Sequence, residues 1–415
     1  MNDLYELTAA TLEASRVRPG ESVGDMPANT TGGTLIRPGG RDCYPSFWVR
    51  DFAMSLACGL IPYAEARHAL ELIARCQQGD TTRHFDTGAK APPYAIPDHI
   101  NFDGQAVFYP GTYSSGDDQG GGAWGVRPPI DNHYDFIHIA YHLVQQQPDT
   151  PLLQTSVGGM TILDRLCRAF GVPHADDQTG MAVTDDAERA VGFGFCDMVQ
   201  KTGKLLFCSL LRYRAAGQLA ELCRKAGETD AGVRYGALAA RIRDHLPSVF
   251  AGEEAMGGWL FAATEDCRQA DVWGTLYALE LGVLPDDVAS RARRAVVDAL
   301  ERGTIEYQSA VRHIPTDMDY AGDTAWQRTI ARHQTYQNGA YWHTPTGWLI
   351  NAVRQADAER AEALATAYLD HLRAADFRQG PSYEAPWECF GKDGADQQNP
   401  VYLTSVTVPL ACLSG

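Results

Sequence analysis

Apolar residues recur along most of this chain at the 3.6-residue spacing of a helix, and strand-like alternation is scarce. The pattern predicts helices at 4–15, 49–59, 64–77, 133–146, 156–169, 203–226, 230–246, 272–281, 286–300, 346–354, 358–374 and 402–413. They are of two kinds. Segments 64–77, 230–246, 286–300 and 358–374 carry many charges and one apolar stripe, which suits an exposed layer. Segments 49–59, 272–281, 346–354 and 402–413 are mostly small and apolar, which suits burial on most sides. The alternation predicts an all-α fold of two concentric rings. Six helical hairpins would close into an (α/α)6 toroid, with residues 1–415 as a single domain.

The connections are more regular than the helices. An aromatic-polar stretch precedes nearly every buried helix: YPSFWVRD at 44–51, DNHYD at 131–135, GFGFCDMVQKTG at 192–203, QADVWGT at 269–275, YQNGAYWHTPTGW at 336–348 and SYEAPWECFGKDGAD at 382–396. In a toroid the inner helices run parallel, so these stretches would meet at one mouth. The opposite connections, such as 228–229 and 282–285, are short. That asymmetry fits a rigid scaffold with one functional face. Three long segments, at about 18–47, 79–126 and 305–334, are expected as loop insertions at that mouth.

Composition narrows the partners. A formal charge of −17, with no Lys/Arg run, argues against nucleic acid and anionic membrane surfaces. No run of about 18 apolar residues is present for a membrane span. The N-terminus shows no signal peptide, and the ten cysteines form no CxxC pairs. They read as free thiols in a reducing compartment, which predicts a cytoplasmic protein. His138 and His142 share a helix face without a third ligand, and the Asp-rich stretches lack a calcium-loop pattern. No metal or cofactor is expected.

The fragments FWVRDFAMSLA, DNHYDFIHIAYH, GFGFCDMVQKTG, ADVWGTLYALELGVL, YQNGAYWHTPTGW, WECFGKDG and VYLTSVTVPLACL follow one another between Tyr44 and Leu413. Together they resemble the (α/α)6 six-hairpin glycosidase superfamily, which includes trehalases, processing α-glucosidases, glucoamylases and α-rhamnosidases. The resemblance implies a general acid in the loop before the sixth helix, a general base before the twelfth, and an inverting mechanism. The first loop offers Asp197; the second offers Glu384 and Glu388. The run from Glu388 to Gly394 is similar to the superfamily's Glu-aromatic-Phe-Asn-Pro-x-Gly pattern. Cys389 stands where an aromatic is usual, which keeps Glu384 as a second candidate.

Glycosidic cleavage needs two carboxyl groups flanking the bond, about 6.5–9.5 Å apart when water is the nucleophile. Asp197 lies among Phe193, Phe195, Cys196 and Met198, an apolar setting that favours the protonated form and suits an acid. Glu388 precedes a glycine-rich polar run, and is expected to be open to water and to act as base. Plainer readings compete: Asp197 as a helix cap or structural acid, Glu388 as an exposed loop acid, and Asp51 and Asp131 as caps of their helices. The expected sugar-binding residues are Trp48, Arg50, Asp51, Asp131, His133, Trp273, Tyr336, Gln337, Asn338, Trp342, His343, Glu384 and Trp387. The tryptophans have core packing as their alternative. The expectation is an exo-acting, inverting glycoside hydrolase whose partner is a small carbohydrate. Sugar epimerases and polysaccharide lyases on the same toroid are rivals, with His133 and His343 as proton carriers. A non-catalytic carbohydrate-binding protein is another.

Overall fold

The structure is a computed structural model that describes residues 2–41, 43–148, 151–252 and 256–414. It is mostly helical. Twelve α-helices occur among the described residues: α1 Asn2–Ser15, α2 Val49–Ser55, α3 Tyr63–Cys76, α4 Asp131–Gln146, α5 Ile162–Phe170, α6 Leu206–Lys225, α7 Thr229–Phe250, α8 Val272–Glu280, α9 Asp286–Glu301, α10 Thr346–Arg354, α11 Ala358–Ala374 and α12 Thr404–Leu413. Every segment with helical spacing contains one. The ends differ where turn chemistry overrides periodicity. Residues 156–161 form a β-hairpin ahead of α5, because Gly158 and Gly159 both take left-handed backbone, φ 58° and 83°. Gly203–Lys204 pairs with Val183–Thr184, so α6 starts at Leu206.

The two kinds of helix pack as their patterns require. In α8 all residues but Glu280 are buried, and in α10 all but Asn351 and Arg354. These helices have few charged faces to turn to water and are enclosed by neighbours. α2 packs on α4, α4 on α6, α6 on α8, α8 on α10, α10 on α12, and α12 on α2 again. The odd-numbered helices pack against this set: α1 on α12, α3 on α4, α5 on α4 and α6, α7 on α6, α9 on α8 and α10, and α11 on α10. The main apolar core lies between the two sets.

The N-terminal ends of the even-numbered helices come together. Arg50 of α2 meets Asp131 of α4, and Tyr402, just before α12, reaches Asp51 of α2. The long 79–126 segment joins them through its strand His99–Ile100, which pairs with Phe47–Trp48 directly ahead of α2. Sequence periodicity gave no sign of this small sheet, since its strands are two residues long.

Candidate active site

Glu388 is the middle residue of the strand Trp387–Cys389, which pairs antiparallel with Gln398–Pro400. The register sets Trp387 against Pro400 and Cys389 against Gln398, so Asn399 lies opposite Glu388. The Asn399 side-chain amide donates to Glu388 Oε2. The Tyr44 hydroxyl donates to the same oxygen at 2.7 Å, and the Tyr336 hydroxyl donates to Oε1 at 3.2 Å. Tyr44, Tyr336 and Asn399 all take left-handed backbone, with φ of 50°, 43° and 50°. Such conformations cost on the order of 1–3 kcal/mol each in a non-glycine residue, and they gather at functional sites. Here all three supply donors to one carboxylate. Burial raises Glu388 to about 7 against the pull of Asn399, Tyr44 and Tyr402. The expectation of a water-exposed base is therefore corrected: Glu388 is 2% exposed, because the hairpin folds it inward.

Asp197 ends the short 3-10 turn Gly194–Cys196 and is only partly buried. Gln337 clamps that turn. Its amide nitrogen donates to Asp197 Oδ1 at 2.5 Å and to the Gly194 carbonyl at 2.9 Å, and its oxygen accepts from the Met198 N–H at 2.8 Å. Burial, helped by Asp98 and Asp131, pushes Asp197 up to about 7 against Arg50 and Gln337. Asp197 caps no helix, since it stands well ahead of Leu206 and α6 has no side-chain cap. The consecutive residues Tyr336 and Gln337 thus touch the two carboxyl groups, one each.

Beneath them lies a charge cluster. Arg50 donates to Asp131 Oδ2 at 3.1 Å, with Asp98 at 3.7 Å and Asp51 at 3.9 Å. Gly194 is required by this packing, because a Cβ there would stand 1.7 Å from the Arg50 guanidinium carbon. The Gly194 N–H donates to the same Asp131 oxygen at 3.0 Å, and the Tyr402 hydroxyl donates to Asp51 at 2.7 Å. Neither acid is the N-cap of its helix; Trp48 and Ile130 hold those positions without a side-chain bond. Both are turned to the cluster instead.

One wall is aromatic. Trp48 stacks on His99 at 4.4 Å, with Tyr44 and Tyr113 edge-on at 5.0 and 5.8 Å. Asp98 fixes the His99 ring through Nδ1 at 2.9 Å. Tyr113 is 42% exposed, so the long 79–126 segment brings an accessible ring to the mouth. Sequence reasoning assigned no role to Tyr44, Asp98, His99, Tyr113, Asn399 or Tyr402. Tyr44 and Tyr402 carried a signal, since Tyr44 begins one of the aromatic-polar stretches and Tyr402 lies in the fragment VYLTSVTVPLACL.

Several expected contacts lie elsewhere. His133 is buried, with Nε2 bound to the Ile96 N–H at 3.2 Å and Nδ1 to the Pro129 carbonyl at 3.1 Å. Burial lowers it to about 3, so it stays neutral. His343 is buried between Thr346 and His371, at 3.3 and 3.0 Å. Both histidines brace backbone or helices and have no free nitrogen for a sugar. Asn338 spends its amide on Ala325, Trp326 and Ala331, which folds the loop rather than facing the mouth. Trp273 stacks on His313 at 4.3 Å, and Trp342 packs edge-on to it at 5.8 Å, both fully buried behind Tyr336. Trp387 packs against His371 and Phe390. Glu384 is exposed and lies outside the paired strand that carries Glu388. Among the described residues, no group of three or more histidine, cysteine, aspartate or glutamate side chains stands at metal-binding geometry. No helix there is long and apolar enough to cross a membrane, and all ten cysteines are free thiols.

No family model matches the chain, and no curated protein matches it in sequence. Solved structures do match in fold. A rhamnosidase from Klebsiella oxytoca with rhamnose bound superposes on 98% of this chain with a TM-score of 0.55 and 12% identity. The chain spans 62% of that protein's length. An uncharacterized conserved protein from Thermus thermophilus superposes on 98% of this chain and 99% of its own, with a TM-score of 0.58 and 15% identity. At these identities the likeness is one of fold, and it is to a fold that a glycosidase uses.

Proposed function

We propose that the protein is a glycoside hydrolase of the (α/α)6 type, with residues 1–415 forming one six-hairpin barrel. The circuit of contacts among the even-numbered helices supports that architecture. The observation that carries the activity is the pair Asp197 and Glu388, held by adjacent residues of one loop, with neutral donors in their direct hydrogen bonds. Asp197 serves as general acid. Burial, with the acidic neighbours Asp98 and Asp131, outweighs the Arg50 charge and the Gln337 donor and keeps the proton on. Glu388 serves as general base. Three donors from Tyr44, Tyr336 and Asn399 favour its ionised form and orient it.

In the proposed reaction Glu388 removes a proton from water as the water attacks the anomeric carbon. Asp197 protonates the departing glycosidic oxygen. The configuration inverts, since water enters on the face opposite the leaving group. Arg50, Asp51 and Asp131 form the floor, and Trp48 and Tyr113 offer ring faces to an apolar sugar face. Exo action on a short glycan is part of the proposal, with the 79–126 insertion bringing Tyr113 beside Trp48.

A panel of aryl glycosides tests this, with rhamnosides first because the fold neighbour is a rhamnosidase. Hydrolysis of at least one member is expected, with proton NMR showing the opposite anomer as first product. Release of an epimer or an unsaturated sugar instead would move the assignment to an epimerase or a lyase.

A further inference from the structure

A cavity of about 260 Å³ runs between α2, α4, α6, α8, α10 and α12, with Arg50 and Asp131 in its lining. Neither Asp197 nor Glu388 lines it. It reaches the surface at the far ends of the even-numbered helices, where Ala57 and Glu280 are exposed and Leu281, Ala411 and Cys412 partly so.

Its walls have a definite character. Phe193 stacks on Phe207 at 4.0 Å, Phe207 on Tyr277 at 5.0 Å, and Tyr277 meets Trp348 at 4.9 Å. A continuous aromatic ladder therefore forms one side, and Leu211 and Val408 are among the apolar side chains that complete the lining. The buried charges are paired. Arg50 holds Asp131 at 3.1 Å, and Arg214 holds Asp135 at 2.9 Å and the Tyr277 hydroxyl at 2.8 Å. Two polar atoms remain. The Nε–H groups of Arg50 and Arg214 are buried and have no hydrogen-bond partner among the described residues. Arg50 itself is 6% exposed. A buried donor without a hydrogen bond is costly, so the Arg214 Nε–H, together with the Arg50 Nε–H that stands 3.9 Å from Asp51, favours an occupant that accepts from it.

We propose that this cavity is a second small-molecule site, for a compact neutral aromatic compound carrying one hydrogen-bond-accepting oxygen. Size, ring lining, paired charges and spare donors each select a different part of that description. Apolar cavities of roughly 150 Å³ already hold a benzene ring. An anionic ligand has no unpaired cation to meet inside, because both guanidinium groups are already paired with carboxylates; Glu280, at the exposed end, is the carboxylate that the benzylammonium control tests. An occupant would also touch the Arg50–Asp131 pair, whose other face anchors the Gly194 amide and hence the turn that carries Asp197.

Phenol serves as the probe, with toluene, benzoate and benzylammonium as controls, titrated into the full-length protein by calorimetry. Phenol is expected to bind saturably and at least tenfold more tightly than each control. Leu211→Trp fills the cavity and is expected to weaken phenol at least tenfold, with the helical signal retained. Should that variant unfold, Ala411→Phe at the exposed end gives the same reading. A crystal soaked in phenol is expected to show it against Tyr277 and Trp348. Phenol binding that both variants leave intact, a crystal placing phenol at the mouth beside Glu388, or no saturable binding would each overturn the proposal.

Discussion

Asp131 and Asp135 are one turn apart on α4 and meet different surroundings. Asp131 is tied to the turn that carries Asp197 through the Gly194 N–H, whereas Asp135 lines the 260 Å³ cavity, which Asp131 also borders. Burial raises Asp135 to about 7, the same level as Asp197 and Glu388. Proton affinity alone does not separate these surroundings. Their partners do. Asp135 is tied to Arg214 at 2.9 Å, an arrangement that stores a charge in the fold. Glu388 meets two tyrosines and an asparagine, and Asp197 meets a glutamine, so neither is locked in one protonation state by a direct cation. Backbone strain falls on the same side, at Tyr44, Tyr336 and Asn399. A perturbed carboxyl becomes a candidate for proton transfer when its company is neutral, orienting and costly to arrange.

The largest effect that would break this comparison is at Asp197. Asp197→Asn should lower kcat by roughly 10²–10⁴ on substrates with poor leaving groups, as expected for loss of a general acid. With a dinitrophenyl leaving group, which departs without a proton, most of the loss should vanish; steady-state rates on paired substrates check this. Next comes Tyr44→Phe, which removes one donor to the Glu388 carboxylate. That loss disfavours the ionised form and raises Glu388, so the acidic limb of the pH–rate profile should move up. The rate at neutral pH should fall by about tenfold, the order of 1.4 kcal/mol. The wild-type profile itself should be a narrow bell near neutral pH, since Asp197 must be protonated and Glu388 ionised and both titrate at about 7.

At Asp135 the readout is stability. A carboxyl raised in the folded state binds more protons than in the unfolded chain, so it costs stability as pH rises from about 4 to 7. Asp135→Asn should flatten that fall by on the order of 1–3 kcal/mol, measured by urea unfolding at pH 5 and pH 8, while kcat changes less than about twofold. Smallest of all, Glu384→Gln should leave turnover within about twofold, because Glu384 is exposed and lies outside the paired strand that carries Glu388.

The helices were legible because each buries a stripe or a whole surface, and apolar spacing records that directly. Their order as exposed and buried partners was legible for the same reason. The carboxyl pair was reachable only through position, in the stretches before α6 and α12. The environment of Glu388 was not, because the three-residue strand that turns it inward has no periodicity to read. Asn399 depends on the register of that hairpin, and Asp98 and His99 on a two-residue strand inside a long insertion. Histidines misled the reading, since their ring nitrogens suit a sugar in sequence but are bound by backbone and neighbouring side chains in the fold. Arg50 both joins the charge cluster near Asp197 and lines the 260 Å³ cavity, and nothing in its local sequence marks that double placement.

The most direct test is Glu388→Gln, with kcat and binding measured on the same aryl glycoside. Turnover at least 10³-fold below wild type, with Kd within about threefold, is the predicted result. Turnover near that of the wild type would contradict the assignment of Glu388 as base and with it the catalytic reading of this mouth.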